Sequence, residues 1–116
     1  MRMAVIAALA LTGPVSAQTP YDGLYYPAER SGWDCASVGM EGGAIAIRNA
    51  RFEGVENSCT LVNPVNLRGI RATLYDAGCT AEGTVTHERI MLMRAAEGGI
   101  WVIRDGWVVR LAPCGD

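Results

Sequence analysis

The chain has no lysine. Its 10 basic residues are all arginine, and its 12 acids outnumber them, for a formal net charge of −2. A mildly acidic, arginine-only composition offers no basic stripe for nucleic acid or for an anionic membrane surface. Histidine occurs once, at His87, beside Glu88 in an alternating stretch. Neighbouring strand side chains face opposite ways, so this histidine reads as a solvated residue and not as a catalytic base. No Cys-x-x-Cys occurs, which removes the common dithiol redox signature. One histidine and four dispersed cysteines do not make a zinc site. No D-x-[DN]-x-[DN]-G run offers a calcium loop. No metal, no other cofactor and no catalytic residue are therefore expected. Helical periodicity is nearly absent after residue 17, and no apolar run there is long enough to cross a bilayer as a helix.

What is present begins with a leader. Met1, Arg2 and Met3 make a short positive start, Ala4 to Leu11 is uninterruptedly apolar, and Thr12-Gly13-Pro14 breaks the run. Val15-Ser16-Ala17 is a small-x-small cleavage site before Gln18. Residues 1–17 are read as a secretory signal peptide and residues 18–116 as one exported domain, periplasmic or secreted and monomeric. Loss of Arg2 would move the formal charge from −2 to −3. A chain of this mature size buries roughly 60–65% of its unfolded surface, enough for a modest core.

Short alternating runs between Gly, Asn and Asp punctuation indicate an all-β domain. Strands are expected at Leu24–Tyr26, Ala44–Arg48, Arg51–Glu56, Cys59–Val62, Ile70–Tyr75, Thr84–Met93, Ile100–Ile103 and Trp107–Leu111, with 63–66 as a loop. Ile70, Ala72 and Leu74 are placed on one face of their strand; Ile90 and Leu92 share a face, opposite Met91 and Met93. Asp105-Gly106 between apolar runs predicts a hairpin with a type I′ turn. Glu41-Gly42-Gly43 to Asn49 and Glu97-Gly98-Gly99 to Asp105 both read E-G-G-x-x-x-I-R-[N/D]. The echo reflects either shared hairpin chemistry or duplication. The fold class is an antiparallel meander of roughly six to eight short strands, closed into a small barrel or sandwich that manages its edges.

Cys35, Cys59, Cys79 and Cys114 form an even set in a short exported chain, which predicts two disulfides. Three pairings are open. Cys35–Cys59 with Cys79–Cys114 is favoured, because it closes two local loops, each worth about 3–4 kcal/mol in the chain-entropy model. Glu56 and Glu82 each stand three residues from a cysteine. They are expected to be framework acids, partly buried near a disulfide and held by Arg89, Arg110 or backbone N–H groups. Tyr25, Tyr26, Trp33, Trp101 and Trp107 lie towards the two ends of residues 18–116. If the first and last strands pair, these rings gather into a binding patch.

The frame Trp33-Asp34-Cys35, Glu56-x-x-Cys59, Cys79-x-x-Glu82-Gly83 and a near-terminal Cys114 resembles a group of small secreted four-cysteine β-proteins of proteobacteria that have no established function. The resemblance covers most of residues 18–116. It implies a compact disulfide-held β domain with no catalytic residues to carry over. Pro113 departs from it, at a place often basic. Small periplasmic lysozyme inhibitors share size and architecture, but their Ser-Gly-x-x-Tyr loop has only Ser31-Gly32-Trp33 as a counterpart here, so that likeness is analogy. The expected function is an exported, non-catalytic binding protein for a protein, glycan or small molecule. One alternative is an inhibitor of an exported or foreign hydrolase. Another is a small hydrolase with paired carboxylates drawn from Glu53, Glu56, Glu82 and Glu88.

Overall fold

In the computed structural model, which describes residues 18–30 and 32–115, eight antiparallel strands follow one another in chain order. They are β1 (Gly23–Pro27), β2 (Ile45–Arg48), β3 (Arg51–Gly54), β4 (Asn57–Asn66), β5 (Ala72–Ala81), β6 (Thr84–Arg94), β7 (Ile100–Arg104) and β8 (Trp107–Pro113). Each pairs with the next, and β8 pairs with β1, so the sheet closes into an up-and-down barrel. The expected leader, residues 1–17, lies outside the described residues. Among the described residues no helix is long and apolar enough to cross a membrane.

Period-2 alternation decides what fills the barrel. Ile47, Phe52, Leu61, Tyr75, Ile90, Leu92, Ile100, Val102 and Leu111 come from successive strands and form one buried cluster. Ile47, Ile90, Leu92, Ile100 and Val102 have no exposed surface. Each such aliphatic side chain contributes about 1.5–3 kcal/mol on burial, as an upper bound. Small barrels fill with their own side chains, and the middle of this one does. Met91 and Met93 face outward, as expected, and are half-buried.

Three strand-level expectations change. Residues 63–66 are not a loop: they form the far part of β4 beyond a bulge between Val62 and Val65, where Asn63 takes φ 54°. Pro64 is accommodated there because a bulge interrupts the ladder. On β5 the inner face carries Thr73, Tyr75, Ala77 and Cys79; Ala72 and Leu74 share the other face as expected, but Ile70 lies before the strand, 54% exposed. Cys79 is directly opposite Cys59, and that pair sets the parity of the whole strand; a one-residue slip would turn every side chain over. In the Asp105-Gly106 turn only Gly106 has positive φ, 96°, the pattern of a type II turn and not of type I′. Asn49-Ala50 and Glu82-Gly83 have positive φ at both central positions and are the type I′ pairs.

The E-G-G echo has a steric cause. A Cβ at Gly43 would lie 2.7 Å from the Ser37 carbonyl oxygen, and one at Gly99 would collide with the Leu111 carbonyl. In both places only glycine lets a backbone carbonyl pack so close to the chain just before a strand. The echo relates β2–β3 to β7–β8, which are not half a turn apart in an eight-strand ring. The local conformations also differ: Gly99 takes φ 80° and Gly43 takes no positive φ, and the turns that follow, at Asn49-Ala50 and Asp105-Gly106, are of different types.

The disulfides are Cys35–Cys114 and Cys59–Cys79, not the favoured Cys35–Cys59 and Cys79–Cys114. Cys59 and Cys79 face each other across β4 and β5, with Cα atoms 3.9 Å apart. Barrel closure brings the last residues to the first strand, where the Cys114 N–H donates to the Leu24 carbonyl at 2.8 Å, and Cys35 is tied in from the 28–44 segment. Register across β4 and β5 decides the 59–79 pair, and closure decides the 35–114 pair. Non-reducing peptide mapping should return the 35–114 and 59–79 pairs. By loop entropy, a C35A/C114A variant should lose about 4–5 kcal/mol in urea unfolding and C59A/C79A about 3 kcal/mol.

Candidate functional site

The two ends of the barrel differ. At the end where β4 and β6 finish, Tyr21, Tyr25 and Tyr75 are all buried and stop the lumen. The Thr73 hydroxyl donates to Asn66 Oδ1 at 2.9 Å, so its single proton is used, and the Tyr21 hydroxyl therefore donates to Thr73 Oγ1, also at 2.9 Å. The Tyr25 hydroxyl donates to the Tyr21 carbonyl. The Arg94 guanidinium lies 5.3 Å from the centre of the Tyr21 ring and donates to the Pro20 carbonyl. Burial pushes the Tyr25 and Tyr75 phenols up from their ordinary pKa, which keeps these two neutral.

The opposite end is open. β1 stops at Pro27 and β2 starts only at Ile45, so the wall is low there and the 28–44 segment completes it. A cavity of about 380 Å³ remains in this mouth. Ile45, Phe52, Val102 and Val109 form its apolar wall, and Trp33 and Trp107 form its aromatic rim. Trp107 is 48% exposed, so an indole stands where a ligand would meet it. The polar side chains are Arg30, Asn57 and Arg104.

Arg104 is on the inner face because Ile100 and Val102 are: the alternation that builds the core ends on a guanidinium. Glu88 shares the inner parity of Ile90 and Leu92 in the same way. The two form a bidentate pair, Arg104 Nε to Glu88 Oε1 at 3.0 Å and Arg104 Nη2 to Glu88 Oε2 at 2.6 Å. Their side chains are only 18% and 27% exposed, so solvent screens the pair less than it would on the surface. Arg104 also reaches Cys79 Sγ at 4.0 Å and covers the Trp107 ring at 5.4 Å from its centre. The hydrogen bonds from Arg104 hold the Glu88 carboxyl below the usual range; desolvation opposes this and the Arg104 charge adds to it.

No family model, curated protein or solved structure matches this chain. The site therefore stands on its own geometry. Of the five rings expected to gather, Trp33 and Trp107 line the mouth. Tyr25 is instead in the plug, Tyr26 is half-buried on the outer wall, and Trp101 faces outward opposite Met93 and Arg110. Strand parity separates them even though closure brings their strands together.

The framework-acid expectation fails for its named residues. Glu56 and Glu82 are exposed, take positive φ of 56° and 51° in turns, and have no ion-pair partner among the described residues. A chain reversal puts its side chains into solvent, away from the disulfide three residues off. Arg89 pairs with Asp76, and Arg110 donates to the Gly98 carbonyl. The carboxylate near a disulfide held by arginine does exist, but it is Glu88 with Arg104. Its signal in the sequence was a charged residue on the apolar parity of each strand.

A wider hollow of about 630 Å³ lies on the outer wall, where Gly78 has no side chain and exposed His87 faces it. It is open, and its Asp76 and Arg89 already satisfy one another. Among the described residues no group of three or more His, Cys, Asp or Glu is placed to hold a metal ion.

Replacing Glu88 with Gln should cost about 1–3 kcal/mol at neutral pH, since it leaves a largely buried guanidinium under-paired. The folded-state pKa of Glu88 lies below its unfolded value, so the stabilisation is complete above the unfolded pKa. It fades as pH falls through the lowered folded value, so the difference between the two proteins in urea unfolding should shrink as pH is lowered below the ordinary carboxylate range.

Proposed function

We propose that the chain is an exported, non-catalytic binding protein that takes a small ligand in the open mouth of its barrel. The observation that carries this is the asymmetry of the lumen: three buried tyrosines plug one end, while two indoles frame an apolar cavity at the other. Ligand sites favour barrel mouths with apolar walls and few polar groups. Two disulfides are typical of proteins in oxidising compartments, which supports export, as does the leader pattern of residues 1–17.

The alternatives draw less support. A paired-carboxylate hydrolase needs two acids across a cleft. The residues lining the mouth include no carboxylate, and Glu88 beside it is held by Arg104. A hydrolase inhibitor would present a protruding loop, but residues 63–66 lie in β4, and the segment between β1 and β2 places Trp33 on the mouth itself.

Tryptophan emission tests the mouth. Of the three tryptophans, Trp101 is outside it, so in a W101F protein the signal comes from Trp33 and Trp107. Titration with neutral 2-naphthamide should give a saturable change, and W107A should weaken binding about tenfold with the fold intact by circular dichroism. Undiminished affinity in W107A, or no saturable change with either the amide or its carboxylate analogue 2-naphthoate, would remove the mouth as the site.

A further inference from the structure

We propose that the mouth selects small organic acids: a planar apolar body between Trp33 and Trp107, with its carboxylate on Arg30 and Arg104. This rests on the mouth being a binding site and adds the chemistry of what enters it. The first observation is charge. The chain as a whole is acidic, with a formal net charge of −2, yet the ionisable groups lining the mouth are both guanidinium groups. Glu88 neutralises Arg104. Arg30 has no carboxylate within ion-pair distance among the described residues. The concave site is therefore positive on a negative molecule, and a low-dielectric cleft focuses such a field on an entering anion.

The second observation is an unfilled donor. Arg104 spends Nε and Nη2 on Glu88 and Cys79, and its Nη1 has no hydrogen-bond partner among the described residues. The side chain is only 18% exposed, so water has little access to it, and it lines the cavity. An N–H with no protein partner on a mostly buried side chain beside a cavity favours an arriving acceptor. Glu88 fixes the guanidinium in place beforehand, so little rotamer freedom is lost when an acceptor arrives. The same guanidinium covers one face of Trp107 and orients the ring.

The third is size. About 380 Å³ is near the low end for ligand pockets, which suits a ring-sized body and not a long acyl chain. Carboxylate with guanidinium makes the directional, planar pair that such a site can grip.

The test compares 2-naphthoate with 2-naphthamide, which share shape and differ in charge, by tryptophan emission of the W101F protein at pH 7 and low salt. The acid should bind at least tenfold tighter, and about 0.5 M NaCl should narrow that ratio, since screening shortens to a few Å. Arg30→Gln should remove most of the preference for the acid. Arg104→Gln alone strands Glu88, so the second variant is the E88Q/R104Q pair, which should lower the ratio further. Equal affinity for acid and amide overturns the anion proposal and leaves the mouth as a binding site. A preference that survives both variants overturns the assignment to these arginines. Binding of neither probe overturns both this proposal and the mouth reading beneath it.

Discussion

The pairing of β1 with β8 turns a meander into a barrel. Tyr25 meets Pro113, Tyr26 meets Ala112 and Pro27 meets Leu111, and the Cys114 and Ala28 N–H groups add hydrogen bonds to Leu24 and Arg110 on either side of that short ladder. Without it, β1 and β8 would both be open edges, and the inner face of every strand would lose its opposite wall. Closure also gives the disulfides distinct roles. Cys59–Cys79 staples neighbours that the ladder already holds. Cys35–Cys114 ties the segment that completes the low wall to the strand that closes the ring.

Strand lengths then shape the site. β4, β5 and β6 have 10, 10 and 11 residues, while β2 and β3 have 4 each, so the wall is uneven. Tyrosines stop the lumen at one end because their hydroxyls find Thr73 and a backbone carbonyl, which lets polar tips stay buried. At the other end the apolar filling gives way to Glu88 and Arg104. That pair is a transition between core and mouth: it satisfies a carboxylate against the interior, and its arginine covers Trp107 and lines the cavity.

Much of the fold was legible from local chemistry. Ile90 and Leu92 announced an inner face, and the Asn, Asp and Gly punctuation announced the hairpins. The need to manage sheet edges pointed to a barrel or a sandwich, and the pairing of β8 with β1 makes it a barrel. Less was legible about what strands do to one another. Leu74 looks like a core residue by composition, but Cys79 five positions later holds the opposite parity and turns it outward. Glu56 and Glu82 look tied to cysteines by spacing, but each falls at a reversal and faces water. Glu88 and Arg104 drew no attention as a pair, because they meet only when β6 and β7 are in register and 16 residues of chain have turned back.

By itself, the sequence determined the class of the molecule: an all-β chain of short strands with two disulfides, because alternation, turn residues and an even cysteine count act over a few residues and need no partner. The tertiary structure alone decided which cysteines join, which aromatic rings meet, and which carboxylate an arginine holds. Those outcomes depend on register and closure, which bring together residues such as Cys35 and Cys114, separated by 79 positions. A side chain's face is a local property, whereas its neighbour across the barrel is set by every strand between them.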